Sequence, residues 1–150
     1  MKKGFSLIEV LVTIVIIGII SAVSVASMKN YKSRSYFNES VSQIFGEFQK
    51  AQSLALSPSK VDVTSYTLNF LQTGGVYDGS YEIRQNNKDG SNELVDSGKA
   101  KGVTLTARVA SFVFNKDGSA TPGNLTISDN NGTFANKQIT VNAAGTVELQ

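Results

Sequence analysis

Cysteine and histidine are both absent from this chain of 150 residues. Without cysteine there is neither a disulfide framework nor a thiolate metal site. Without histidine the commonest general base at neutral pH, the Ser-His-Asp triad and the usual zinc sites all disappear. What remains for chemistry is carboxylates and lysines, and the acids are scattered, so the chain is not expected to be an enzyme and no cofactor, catalytic residue or metal is assigned. Strong charge of one sign is lacking too. The formal net charge of +2 comes wholly from Lys2 and Lys3; beyond them, twelve basic and twelve acidic side chains balance. That balance removes any general attraction to nucleic acid or anionic lipid.

What is present begins with an apolar run. From Val10 to Met28 there are nineteen consecutive positions without a charge, enough to cross a bilayer core as a helix. Lys2 and Lys3 precede the run and Lys29, Lys32 and Arg34 follow it, so positive flanks on both sides leave orientation undecided. Helical periodicity then continues, with Phe37, Val41, Ile44, Phe45, Phe48, Ala51 and Ala55 at spacings of three and four. Polar Asn38, Ser42, Gln43, Glu47 and Lys50 take the other side. Pro58 is the first strong stop, so one helix is expected from about Phe5 to Ser57.

After Pro58 the texture changes to short β-branched and aromatic runs separated by Gly, Asn and Asp. Strands are expected at 65–71, 80–84, 103–109, 111–115, 125–128, 138–142 and 146–150. Turns are expected at Gly74 and Gly75, Asp89-Gly90, Asp117-Gly118 and Asn131-Gly132, with a last hairpin closed by Gly145. Alternation places Ile139, Val141, Val147 and Leu149 on one buried face, with Thr140, Glu148 and Gln150 pointing out. The fold class that follows is α+β: an antiparallel sheet packed on the amphipathic half of a long N-terminal helix.

Two readings of the N-terminus compete. An ordinary secretory signal would use Lys2 and Lys3 as its basic region and Val10 to Ile20 as its apolar region, with cleavage after Ala26. Against it stand Glu9, which opens the apolar stretch, and the periodicity that runs through the supposed cleavage site. The stretch "GFSLIEVLVTIVIIGIISAV", residues 4–23, resembles instead the class III signal and first helix of type IV pilins and type II secretion pseudopilins. That resemblance implies a pilin fold and a leader of residues 1–4, cut by a prepilin peptidase between Gly4 and Phe5. It further implies N-methylation of Phe5, a transmembrane and assembly helix over 5–28, its amphipathic continuation over 29–57 and a β-rich domain over 58–150. The implied location is single-pass in the inner membrane, with the globular domain outside the cytoplasm, and then in a pilus or pseudopilus. Implied partners are the peptidase, other pilin or pseudopilin subunits, the inner-membrane assembly platform and, before assembly, lipid.

Glu9 fits that picture physically. A carboxylate in lipid is costly unless paired, and cleavage creates a cationic amine on Phe5. Among staggered parallel helices, Glu9 of one subunit can meet the amine of its neighbour, and an out-of-register neighbour leaves a buried charge unpaired. In pilins the segment from a glycine at the place of Gly18 to a later proline loosens on assembly. Here Gly18 is present, but Ala26 stands where that proline is usual, so any loosening rests on Gly18 and its weak helix-forming neighbours.

The remainder is similar to the minor pilin group that includes GspH of type II secretion and FimT of type IV pili. "FQKAQSLALSPSKVDV", "SFVFNKDGSATPGNLTI" and "KQITVNAAGTVEL" carry the likeness. Some FimT-like proteins bind DNA through a Gly-Arg-x-Arg run in the closing hairpin. Thr146 and Glu148 replace both arginines here, and Glu148 repels phosphate. Lys99, Lys101, Arg108, Lys116 and Lys137 are the basic residues left, so nucleic acid is not favoured as a partner. The stretches 86–93 and 115–119 resemble calcium loops but lack the first acidic ligand, and hairpin turns explain them with less assumption.

Overall fold

The computed structural model describes residues 6–107 and 109–150, with 22–27, 29 and 30 described by backbone alone. Among the described residues one helix, α1 (Leu7–Leu56), precedes eight strands. These are β1 (Val63–Thr73), β2 (Val76–Asn87), β3 (Asn92–Lys99), β4 (Val103–Ala107), β5 (Ser111–Asn115), β6 (Gly123–Asp129), β7 (Lys137–Val141) and β8 (Val147–Leu149). The chain divides into two compact units, Met1–Ser35 and Tyr36–Gln150, with the boundary inside α1.

In the second unit the helix buries Phe37, Val41, Ile44, Phe48, Ala51 and Ala55 against the sheet. Their spacing keeps one stripe facing the core, and each large apolar side chain so removed from water contributes about 1.5–3 kcal/mol. Phe48 is the central knob. Its ring lies 4.9 Å from Phe112 in an edge-to-face arrangement, 5.7 Å from Phe70 and 6.5 Å from Phe114. Phe37 stacks on Phe134 at 5.7 Å. The helix stops at Leu56, two residues before Pro58, whose ring disfavours helix in the residue ahead of it.

All strand pairs are antiparallel, in the order β5-β1-β2-β4-β6-β7-β8, with β3 paired to β2. β2 changes partner along its length. Ser80 to Asn86 face β3, whereas Tyr77 faces Leu105 of β4. The change falls at Gly79, whose φ of 87° and close approach to the Ala100 carbonyl leave no space for a side chain.

Four connections reuse one five-residue turn, Asn/Asp-x-x-Gly-Ser/Thr: 87–91, 115–119, 129–133 and 142–146. In each, the glycine N–H donates to the carbonyl of the first residue, at 3.1, 3.1, 2.9 and 3.0 Å. The fifth N–H is also held. Asp89 and Asp117 accept it in the first two, Asp129 and Asn142 in the others. Identical "NKDGS" sequences thus give identical bond patterns, including Ser91 and Ser119 hydroxyls on those same aspartates at 2.6 Å. These two stretches, the ones that resemble calcium loops, are hairpin turns whose carboxylates are occupied by serine.

Two sequence expectations change. β3 was not expected. None of its eight residues is buried, Leu94 is 55% exposed, and Asn, Asp, Ser and Gly dominate, so no alternation marks it. Leu149 pairs with Ile139 but is 41% exposed, because the short β8 ends the sheet.

Candidate assembly and contact sites

Gly4 and Phe5, where cleavage and methylation are expected, lie outside the described residues, as does Arg108. The first described residue, Ser6, receives the Glu9 and Val10 N–H groups at 3.0 and 3.2 Å and so starts α1. Ser6-x-x-Glu9 has the spacing of a capping box, in which the acid would bond back to the start of the helix. Among the described residues the Glu9 carboxylate makes no hydrogen bond or ion pair. Its backbone is engaged instead, the carbonyl accepting the Thr13 hydroxyl at 2.7 Å. Around it, Leu7 is 83% exposed, Ile14 65% and Ile19 63%, so this segment offers an apolar surface to another molecule or to lipid. Gly18 lies within the continuous helix with open space around it. Among the described residues no helix is long and apolar enough to cross a membrane. Within the expected span of 5–28, residues 22–27 are described by backbone alone.

In the second unit a polar network ties the helix to β2 and β3. The Tyr81 hydroxyl donates to Glu47 Oε1 at 2.9 Å and accepts from Gln43 Nε2 at 3.3 Å. Lys50 bonds Asp96 of β3, and its Nζ stands 4.0 Å from Glu47 Oε2, a buried oxygen with no hydrogen bond. Lys60 adds a second tie to β3 through Glu93 at 2.9 Å. Burial pushes the Tyr81 phenol up, and Lys50 holds the Asp96 carboxyl below its ordinary value. Glu47 therefore is not a solvated polar-face residue: its side chain is only 15% exposed. Sequence periodicity set it on the polar side of the helix and did not show Tyr81 of β2, whose hydroxyl holds its carboxylate.

Gly98 makes this network possible, since a Cβ there would lie 2.7 Å from Tyr81 Cζ and still nearer the hydroxyl. Gly98→Ala is expected to push the ring aside and strip Glu47 of its hydrogen bond, costing about 1–3 kcal/mol. Urea unfolding of the detergent-solubilised chain reads this directly, and an unchanged midpoint would show that the network carries no stability.

Among the described residues, the basic residues named above are spread over several elements. Lys99 is paired with Asp78, whose carboxyl it holds well below the usual carboxylate range. Lys99 and Lys101 do share an open depression of about 570 Å³, with Glu39, Gln43 and Tyr36 on its helix side. Lys137 begins β7, whereas Lys116 sits in the β5–β6 turn, whose later residue Ala120 bonds Ala143 beyond the other end of that strand. Thr146 and Glu148 are exposed on the closing hairpin.

Comparison with known proteins agrees with this geometry. Residues 1–25 match the prokaryotic N-terminal methylation motif, and residues 40–145 match the family of the type II transport protein GspH. Two Pseudomonas aeruginosa proteins named fimbrial protein are 29% and 28% identical over 127 residues, 78% of this chain and 82% of each relative. The type IV minor pilin FimU of P. aeruginosa shares the fold, with a TM-score of 0.60 at 17% identity over 75% of this chain and 91% of that one. The minor pseudopilin EpsH of the Vibrio cholerae type 2 secretion system does so with a TM-score of 0.60 at 14% identity, over 75% and 94%. With a helix packed on an antiparallel sheet and a family match over most of its length, the chain belongs to the GspH family of pilin-like subunits.

Proposed function

We propose that this chain is a minor subunit of a type IV pilus or a type II secretion pseudopilus, working as a structural part and as the substrate of another enzyme. Residues 1–4 are removed by a prepilin peptidase, and the new terminus at Phe5 is N-methylated. The inner membrane then holds residues 5–28, with the sheet domain outside the cytoplasm, until the assembly platform moves the subunit into the filament. The observation that carries this reading is the apolar, exposed start of α1 with one carboxylate, Glu9, that has no partner among the described residues. Such a surface is stable only in lipid or against like helices, and such an acid only beside a cation. Leader removal supplies that cation one turn away in sequence.

Mass spectrometry of the mature chain tests the proposal. A methylated Phe5 at the N-terminus is expected. A chain beginning at Ser27 would mark an ordinary signal peptide and end the filament reading. DNA uptake is not part of the proposal, because Glu148 occupies the hairpin position where an arginine would be needed and Lys99 is already paired.

A further inference from the structure

Three Asn-x-Ser/Thr tripeptides occur in the chain: Asn38-Glu39-Ser40, Asn124-Leu125-Thr126 and Asn131-Gly132-Thr133. This is the acceptor pattern for N-linked glycans, in which the asparagine amide is modified and the hydroxyl two residues on is read. A transferase must thread the tripeptide through its groove as free backbone, so helix and ladder hydrogen bonds oppose it. The first tripeptide lies inside α1, and its Ser40 is buried with the hydroxyl donating to the Lys101 carbonyl at 2.8 Å. The second lies inside β6, with Asn124 laddered to Thr140 and Leu125 fully buried.

The third lies outside any helix or strand ladder, and its Gly132 and Thr133 N–H groups are held within the turn by Asp129. Asn131, Gly132 and Thr133 are all exposed at the tip of the β6–β7 connection. Among the described residues neither the Asn131 amide nor the Thr133 hydroxyl makes a hydrogen bond. The base of the tip is fixed instead. The Thr104 hydroxyl donates to Asn130 Oδ1 at 2.7 Å, and the Asn130 N–H reaches the Gly102 carbonyl at 3.3 Å. Asp129, two residues ahead of the acceptor, holds the Thr133 N–H at 3.0 Å and adds a negative charge that a basic groove can read.

We propose that Asn131 is an acceptor site for N-linked glycan, with a polyprenyl-diphosphate-linked oligosaccharide as the donor. Asn131 Nδ2 bonds to the anomeric carbon, and the bond from that carbon to the diphosphate oxygen breaks. One amide proton is lost and polyprenyl diphosphate leaves. The proposal rests on the reading that the sheet domain lies outside the cytoplasm, where such a donor is presented.

The test is expression of the full chain in a bacterium that processes prepilins, together with an N-oligosaccharyltransferase and its lipid-linked oligosaccharide. Intact-mass and glycopeptide spectra of the membrane fraction should show one glycan, on Asn131. The glycan should vanish in N131Q and T133A, persist in T133S, N38Q and N124Q, and fall severalfold in D129N, which keeps an oxygen for the Thr133 N–H. An unmodified chain, or a glycan on Asn38 or Asn124 with Asn131 bare, overturns the proposal. The same spectra read the N-terminus: a methylated Phe5 with bare Asn131 overturns the acceptor site alone, whereas a retained Met1 with bare Asn131 overturns the processing reading as well. An unchanged melting temperature of N131Q excludes misfolding as the cause of its loss.

Discussion

Replacing Glu9 with alanine is expected to leave leader removal intact and to lower the filament-incorporated fraction on the order of tenfold or more. Breaking one side of a buried ion pair strands the other charge, and each decade in an equilibrium needs only about 1.4 kcal/mol. The position has two physical roles to separate. Ser6-x-x-Glu9 is a capping-box spacing, and glutamine serves that role nearly as well as glutamate. A charge partner for the Phe5 amine cannot be replaced by glutamine. Glu9→Gln should therefore impair incorporation almost as severely as Glu9→Ala while keeping the membrane pool and the processed N-terminus normal. Fractionation of sheared filaments against membranes measures the ratio. Wild-type incorporation by Glu9→Ala would remove the ion-pair role, and normal behaviour of Glu9→Gln alone would reduce Glu9 to a helix cap.

The helix and the face it buries were legible because Phe37, Val41, Ile44, Phe48, Ala51 and Ala55 repeat at helical spacing with no breaker until Pro58. The strands beneath that face were legible for the same kind of reason. Tyr66, Leu68 and Phe70 alternate with Thr67 and Asn69, and Phe112 and Phe114 alternate with Val113, as a half-buried sheet requires. β3 was illegible because it buries nothing. Its place comes from the ladder to β2 and from Lys50 and Lys60, partners distant in sequence. The same distance hid the role of Glu47, since a polar position on a helix looks solvated until its partner, here Tyr81 of β2, is known. Gly4 and Phe5 were legible only through family resemblance; no periodicity or charge pattern alone marks a cleavage site.

Gly145→Ala is expected to be among the most damaging single-methyl changes in the sheet unit, costing about 3 kcal/mol or more. Two penalties combine. The residue has a φ of 77°, where an added side chain costs about 1–3 kcal/mol. The new Cβ would also press on the Gly118 carbonyl, which is backbone and cannot rotate away. Three elements meet there. The Gly145 carbonyl accepts Gln52 Nε2 of the helix at 3.0 Å, and Ala120 of the β5–β6 loop donates to the Ala143 carbonyl at 3.1 Å. Moving the hairpin to relieve the clash gives up both bonds, each worth about 0.5–1.5 kcal/mol. Gly74→Ala supplies the control, with a φ of 63° but open space around it, so only the same backbone penalty of about 1–3 kcal/mol applies. Urea denaturation of the two variants in detergent should separate them clearly. Equal midpoints would show that the contact with Gly118 is relieved without loss, and that this junction does not hold the two edges of the sheet to the helix.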